Sequence, residues 1–168
     1  IEEMDWNSTL PLAENSKVHS VPARHFSGRR FKSNGTLWTS FILKTPTYNL
    51  FLGGDSGYDE HFIKIGEQFG PFDLAILENG QYDSQWKYIH MQPEEVLQAA
   101  RDLRATRLLP VHSAKFALAN HDWDEPLNRI TQLHGASKSP KLITPKIGQK
   151  VNLKLKDQQF DHWWIGVD

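Results

Sequence analysis

The chain contains no cysteine, which excludes disulfides, thiolate catalysis and cysteine-ligated zinc fingers and leaves any metal site to His, Asp or Glu. That absence permits a reducing compartment, and the reading is a cytoplasmic protein with peripheral membrane association left open. No apolar run approaches the ~20 residues of a membrane-spanning helix, and no signal-peptide pattern opens the chain. An excess of one charge is also missing: Lys+Arg 19 against Asp+Glu 20 leaves a net charge of −1. Such a balance gives no electrostatic footprint for nucleic acid or an anionic membrane surface. The Gly-Lys-Ser/Thr signature of a phosphate loop is absent, which argues against a phosphate-binding domain built on Gly53-Gly54. There are no repeats and no low-complexity tract. The chain opens Ile1-Glu2-Glu3 without an initiator methionine, and is read as a trimmed start or as the later part of a longer polypeptide.

What is present suffices for one ordinary domain: 168 residues, 39% of them hydrophobic and 11% aromatic, allow a sizeable core. Its organising stretch is Phe51-Leu52-Gly53-Gly54-Asp55-Ser56-Gly57-Tyr58. An apolar strand over Tyr48 to Leu52 runs into two glycines, where the backbone can approach a ligand closely, and then presents Asp55 at the strand's C-terminal edge. Two readings of Asp55 stand side by side, a turn whose N–H groups bind the carboxylate and a ligand for a cation.

Residues 1 to 16 read as a polar lead-in. Lys17 to Val21 alternates as a strand that Pro22 stops, and Thr36 to Lys44 pairs with Tyr48 to Leu52 as a hairpin through Thr45-Pro46-Thr47. Asp59 caps a helix with Phe62, Ile65 and Phe69 inward, ended by Gly70-Pro71. Asp73 to Glu78 is apolar enough inside for a strand covered on both faces. A helix from Pro93 buries Val96, Ala100 and Leu103, Leu108 to Val111 is a further strand, and a helix from Glu125-Pro126 runs to Gly135. After that, 136 to 149 reads as loop, Val151 to Leu155 as the last strand, and His162-Trp163-Trp164 as an aromatic tail. The tail either covers an apolar edge or touches a membrane interface, and charged neighbours without a basic excess favour the edge. Hairpins followed by alternating strands and helices give an α/β layered domain, in which ligands gather at the C-terminal ends of strands.

Three polar residues fall at such ends: His25, Asp55 and His112. With 8 histidines in the chain, any one of them is more often a satisfied imidazole. Together they are a donor set suited to Zn²⁺, with an open position for a water whose pKa falls toward ~7. Manganese or iron would also be accepted.

Several ordered blocks point further: Pro22-Ala23-Arg24-His25-Phe26-Ser27-Gly28-Arg29, Thr36-Leu37-Trp38, Gly54-Asp55-Ser56-Gly57-Tyr58, Gly70-Pro71-Phe72-Asp73-Leu74, Asn79-Gly80-Gln81-Tyr82, His90-Met91 before Pro93-Glu94-Glu95, and Leu109-Pro110-Val111-His112. Between about residues 20 and 130 the chain resembles the metallo-β-lactamase-fold hydrolases, in the branch of N-acyl-phosphatidylethanolamine phospholipase D and, more distantly, the L-ascorbate-6-phosphate lactonases. The resemblance implies an αββα sandwich with one or two divalent ions, in which His25 binds the first metal, Asp55 bridges and His112 binds the second. By the same resemblance Asp55, His90 and Tyr82 are catalytic and Tyr58 and Arg29 contact substrate, with Arg24 and Arg30 as further steering charges. Its chemistry is hydrolysis of a small-molecule or lipid phosphodiester, or of a lactone, by metal-bound hydroxide.

One family signature, His-x-His-x-Asp-His, is not found in the sequence. The expectation is therefore a single domain over 1–168 that forms the C-terminal half of the sandwich, one mixed sheet with outer helices. A half would expose the apolar inner face of its sheet, so the expected partner is an N-terminal half or a second copy. Alone, the half is expected to bind metal weakly and turn over little. The rival reading is a non-catalytic or degenerate interaction module that keeps the fold half.

Overall fold

Alternation from Lys17 onward sets a strand, each later apolar run adds another, and the molecule is built on the single sheet they form. A computed structural model describes all residues except 29–32, 116, 117, 136, 138 and 168. Seven strands follow one another across the sheet in chain order: β1 (Thr9–Pro11), β2 (Lys17–Pro22), β3 (Thr39–Lys44), β4 (Asn49–Leu52), β5 (Leu74–Glu78), β6 (Arg107–Val111) and β7 (Lys141–Leu142). Neighbours from β1 to β4 are antiparallel and those from β4 to β7 parallel. The difference follows from the connections. A tight turn joins β3 to β4, where the Thr45 hydroxyl accepts the Tyr48 N–H at 2.8 Å, whereas parallel neighbours need a crossover long enough for a helix. Helix α1 (His61–Phe69) lies between β4 and β5, α2 (Pro93–Asp102) between β5 and β6, and α3 (Glu125–His134) between β6 and β7. The expected α/β layering, a mixed sheet with helices on it, is what forms.

Helix starts show why these segments fold where they do. Gln92 and Glu95 make a reciprocal capping box at α2, with Pro93 in the first turn, so the orphan N–H groups there have partners. At α1 the capping residue is Glu60 rather than the expected Asp59. Asp59 still serves the first turn from one position further out, its carboxylate accepting the Glu60 N–H at 2.8 Å.

Two expectations need correction. The lead-in carries strand β1, paired Thr9↔His19, Leu10↔Val18 and Pro11↔Lys17; three residues are too few for alternation to show, and Pro11 is tolerated because the strand is an edge. Val151 to Leu155 is not a strand. Its backbone turns locally, Leu155 N–H to Asn152 O at 3.1 Å, while the Leu153 carbonyl accepts from the Arg107 guanidinium at 3.2 Å. The last strand is instead β7, inside the stretch read as loop, paired Arg107↔Lys141 and Leu108↔Leu142.

The two faces of the sheet differ. Val21, Ile42, Phe51, Ala75, Leu77 and Leu108 point to the helix side and pack with Phe62, Ile65, Val96, Leu103 and Ile130 in one buried cluster. The alternate residues form rows on the other face, Phe41↔Leu52↔Ile76↔Leu109 and Val18↔Leu43↔Leu50. That second face is apolar and partly exposed, Phe41 to 38%. Trp164 is 1% exposed and its indole N–H donates to Asn128 of α3 at 2.7 Å, so this part of the tail packs on α3.

Helices α1 and α2 touch backbone to backbone at Gly66, where an added Cβ would sit 1.9 Å from the Asp102 carbonyl oxygen. Gly66→Ala is therefore expected to lower stability by about 1–3 kcal/mol through forced separation of the helices. Gly35, with nothing within 4 Å of an added Cβ, is the control, and Gly35→Ala should change stability by less than about 0.5 kcal/mol. Urea melts of the two variants decide this.

Candidate metal centre

Strands β2, β4, β5 and β6 run in the same direction, so their C-terminal ends lie along one edge of the sheet. Every residue of the candidate centre follows or ends one of those strands, apart from His90, which leads into α2. His25 comes just after β2, Asp55 after β4, Glu78 ends β5 and His112 follows β6. Asp55 and His112 face each other with Oδ1 and Nε2 3.7 Å apart, both about two-fifths exposed. The His112 ring is stacked on that of His90 at 5.5 Å, and His90 meets His25 edge-on at 5.4 Å. The sequence-derived residues 25, 55, 90 and 112 thus form a connected row.

Two of the three imidazoles, those of His25 and His90, have Nδ1 turned to an oxygen. His25 directs Nδ1 at the Phe26 carbonyl oxygen, 2.9 Å away, so Nδ1 carries the proton and Nε2 the lone pair. That Nε2 is buried and has no hydrogen-bond partner, the condition of a ligand nitrogen without its metal. His90 turns Nδ1 toward Glu78 Oε2 at 3.4 Å, and the other oxygen of Glu78 accepts the Met91 N–H. Burial pushes the Glu78 carboxyl above the usual range, while the bonds from His90 and Met91 pull it back. Sequence reasoning missed Glu78. The available signal was a carboxylate closing a strand that is otherwise apolar.

Imidazole and carboxylate donors suit a divalent metal chemically, and the orphaned Nε2 of His25 fits one. Among the described residues, however, no three His, Asp or Glu side chains close on a common point.

Residues 1–113, about two thirds of the chain, match the model of the beta-lactamase superfamily domain. The chain belongs to the beta-lactamase superfamily. Its fold is that of the metallo-β-lactamase-fold hydrolases: Igni18 of Ignicoccus hospitalis, described as a novel metallo hydrolase, superposes with a TM-score of 0.64 at 20% identity, over 85% of this chain and 56% of that one. The N-acyl-phosphatidylethanolamine-hydrolyzing phospholipase D of Saccharomyces cerevisiae is 38% identical over 141 residues, 78% of this chain and 30% of that protein, which supports the phospholipase D-like branch. A Klebsiella pneumoniae protein named outer membrane protein RomA is 57% identical over 106 residues, 63% of this chain and 80% of its own length. Several curated relatives are more than twice as long as the part that this chain spans. No helix among the described residues is long and apolar enough to cross a membrane.

Other residues that the superfamily resemblance suggested are engaged elsewhere. The Tyr58 hydroxyl donates to Asp102 at 2.6 Å, between α1 and α2; burial, then that bond, pushes it up to about 12. Tyr58 thus ties the approach to α1 to the end of α2. Tyr82 donates to Glu125 at 2.8 Å, and burial followed by Glu125 raises its hydroxyl far above the phenol range. Arg24 is held by Asp59 at 3.1 Å and by the Tyr58 carbonyl, and lies over the Tyr88 ring at 4.6 Å. Arg29 and Arg30 lie outside the described residues.

Two outcomes follow for this edge. His61 supports the loop after Asp55, its Nε2 3.4 Å from the Ser56 hydroxyl, and burial lowers it to about 4 from 6.5. The unfolded chain therefore takes up that proton first, and the stabilising contribution present above pH 6.5 is lost as pH falls toward 4. Denaturation at pH 7.5 and pH 5 should show this loss, and His61→Gln should flatten it. For Glu78 the sign is opposite: its raised carboxyl favours the fold at low pH and costs stability as pH rises through its folded value. Glu78→Gln should accordingly gain stability relative to the parent as pH is raised above the ordinary carboxylate range, measured by thermal melts.

Proposed function

We propose that this chain carries one side of the metal centre of a zinc-dependent phosphodiester hydrolase. The supporting observation is the buried, unpartnered Nε2 of His25 beside a His90 ring that Glu78 orients. His25, Asp55 and His112 would hold the metal, which when bound supplies Lewis-acid activation of water and offsets charge on the phosphoryl oxygens.

The protein's own groups account for the remaining steps. Asp55 accepts the proton of the attacking water as the new P–O bond forms. His90, with Nδ1 facing Glu78, gives the proton of its other ring nitrogen to the departing oxygen as the old P–O bond breaks. Glu78 stabilises the imidazolium before that transfer, the role of a carboxylate behind a general acid. The 38% identity to the yeast phospholipase D favours a phosphodiester over a lactone.

The other donors of the cage would come from an N-terminal half packed on the open sheet face. Relatives more than twice as long and an apolar row from Phe41 to Leu109 support that partner over a second copy. On this reading the half alone binds metal weakly.

Calorimetric titration with zinc tests the ligands. His112→Ala is expected to weaken binding by at least about tenfold, as loss of one ligand should, and unchanged binding would remove His112 from the shell. With the N-terminal half present, His90→Ala should keep the metal and lower the rate on bis(p-nitrophenyl) phosphate by about 10²–10⁴.

A further inference from the structure

The turn Asn79-Gly80-Gln81, directly after β5, touches the His112 backbone and is itself held by a residue with no assigned role. Asn79 donates its N–H to the Val111 carbonyl at 2.8 Å and its side-chain amide to Pro126 at 2.9 Å. Gly80 lies so close to His112 that an added Cβ would sit 2.3 Å from the His112 carbonyl oxygen. Gln81 has φ +60° and His112 φ +69°, left-handed conformations that side chains adopt only when their surroundings impose them.

His121 bonds the backbone of the first of these. Its Nε2 accepts the Gln81 backbone N–H at 3.0 Å, and its Nδ1 bonds the Asp122 carbonyl oxygen at 2.9 Å. The proton is thus fixed on Nδ1 and the acceptor on Nε2. The ring rests on Tyr82 at 4.7 Å, and Tyr82 is anchored in turn by Glu125. From the same side, the Gln81 side-chain oxygen accepts the N–H groups of Leu118 and Ala119 at 2.6 and 3.0 Å.

We propose that His121 and Gly80 are positioning residues for His112. His121 holds Gln81 in its left-handed turn, the turn presses the Gly80 backbone against the His112 carbonyl, and His112 is thereby kept opposite Asp55. The inference rests on the reading of His112 as a metal ligand only for its consequence, not for the clamp itself.

The test uses the ¹⁵N-labelled chain in two arms. Without metal, amide exchange at Gln81 and the ring resonances of His112 report the clamp; zinc titration reports its consequence. His121→Phe keeps a ring on Tyr82 but removes the acceptor, and should speed Gln81 exchange by about tenfold or more and shift the His112 ring signals, with exchange in β3 and β4 unchanged. His121→Gln, which retains an acceptor, should restore both. Gly80→Ala should shift the His112 signals, and both disruptive variants should weaken zinc binding by about tenfold.

Unaltered Gln81 exchange and His112 signals in His121→Phe, or no recovery in His121→Gln, would overturn the proposal. If Gly80→Ala does not fold, the two His121 variants decide alone. If the parent takes no zinc, the metal reading fails, and the exchange and resonance arm still decides the clamp.

Discussion

Glu78 is 1% exposed, and a carboxylate taken that far out of water must find donors or destabilise the strand end that carries it. It finds two, the Met91 N–H and the His90 ring. Both belong to the segment that leads into α2, so the bonds that make the burial tolerable also fix where that helix starts. Pro93 and the Gln92–Glu95 capping box then continue the helix from a defined point. The His90 ring is left between those of His25 and His112, and the imidazole row depends on that placement.

The sheet explains why such a row can form from residues far apart in sequence. Five strands run the same way, and the four that begin at Lys17, Asn49, Leu74 and Arg107 lead the chain out of the sheet along one edge toward the candidate residues. Strand ends are held by ladder bonds on both sides, as where the Gly53 N–H donates to Ile76 O at 2.9 Å, and a side chain one to three residues beyond has little freedom to wander. The same geometry leaves the helix side packed and the opposite face apolar and partly exposed. The edge and the open face meet at Leu52, Ile76 and Leu109, which sit just before the candidate residues. A segment that covered the face would therefore arrive beside the centre.

Much of this was legible in the sequence where one signal dominates. Strands β3 to β6 and all three helices have alternation, apolar runs or cap residues within the segment itself, and His25, Asp55 and His112 announce themselves by following strands. What was not legible depends on partners distant in the chain. The hydroxyls of Tyr58 and Tyr82 find Asp102 and Glu125, 44 and 43 residues away, and nothing local says so. Strand β7 is two residues long and exists because β6 offers it a ladder, while Val151 to Leu155 has the alternation of a strand but meets the Arg107 guanidinium and its own turns instead. Glu78 looks like the polar end of a strand until the fold buries it.

Polar atoms left without partners tell the same story from the energetic side. A buried acceptor or donor with no partner costs about 1–3 kcal/mol, and sequences that fold well leave few of them except where function requires it. Among the described residues five buried side-chain atoms lack a partner: His25 Nε2, Trp38 Nε1, Asn49 Oδ1, Asn79 Oδ1 and Trp163 Nε1. His25 and Asn79 follow strand exits, and Trp38 lies at the same edge, its carbonyl bonded to the Ala23 N–H. Three of the five thus gather at one edge of the sheet, the edge that also carries the buried Glu78 and the left-handed His112. The helix-side cluster of apolar residues offsets these costs but does not explain their position.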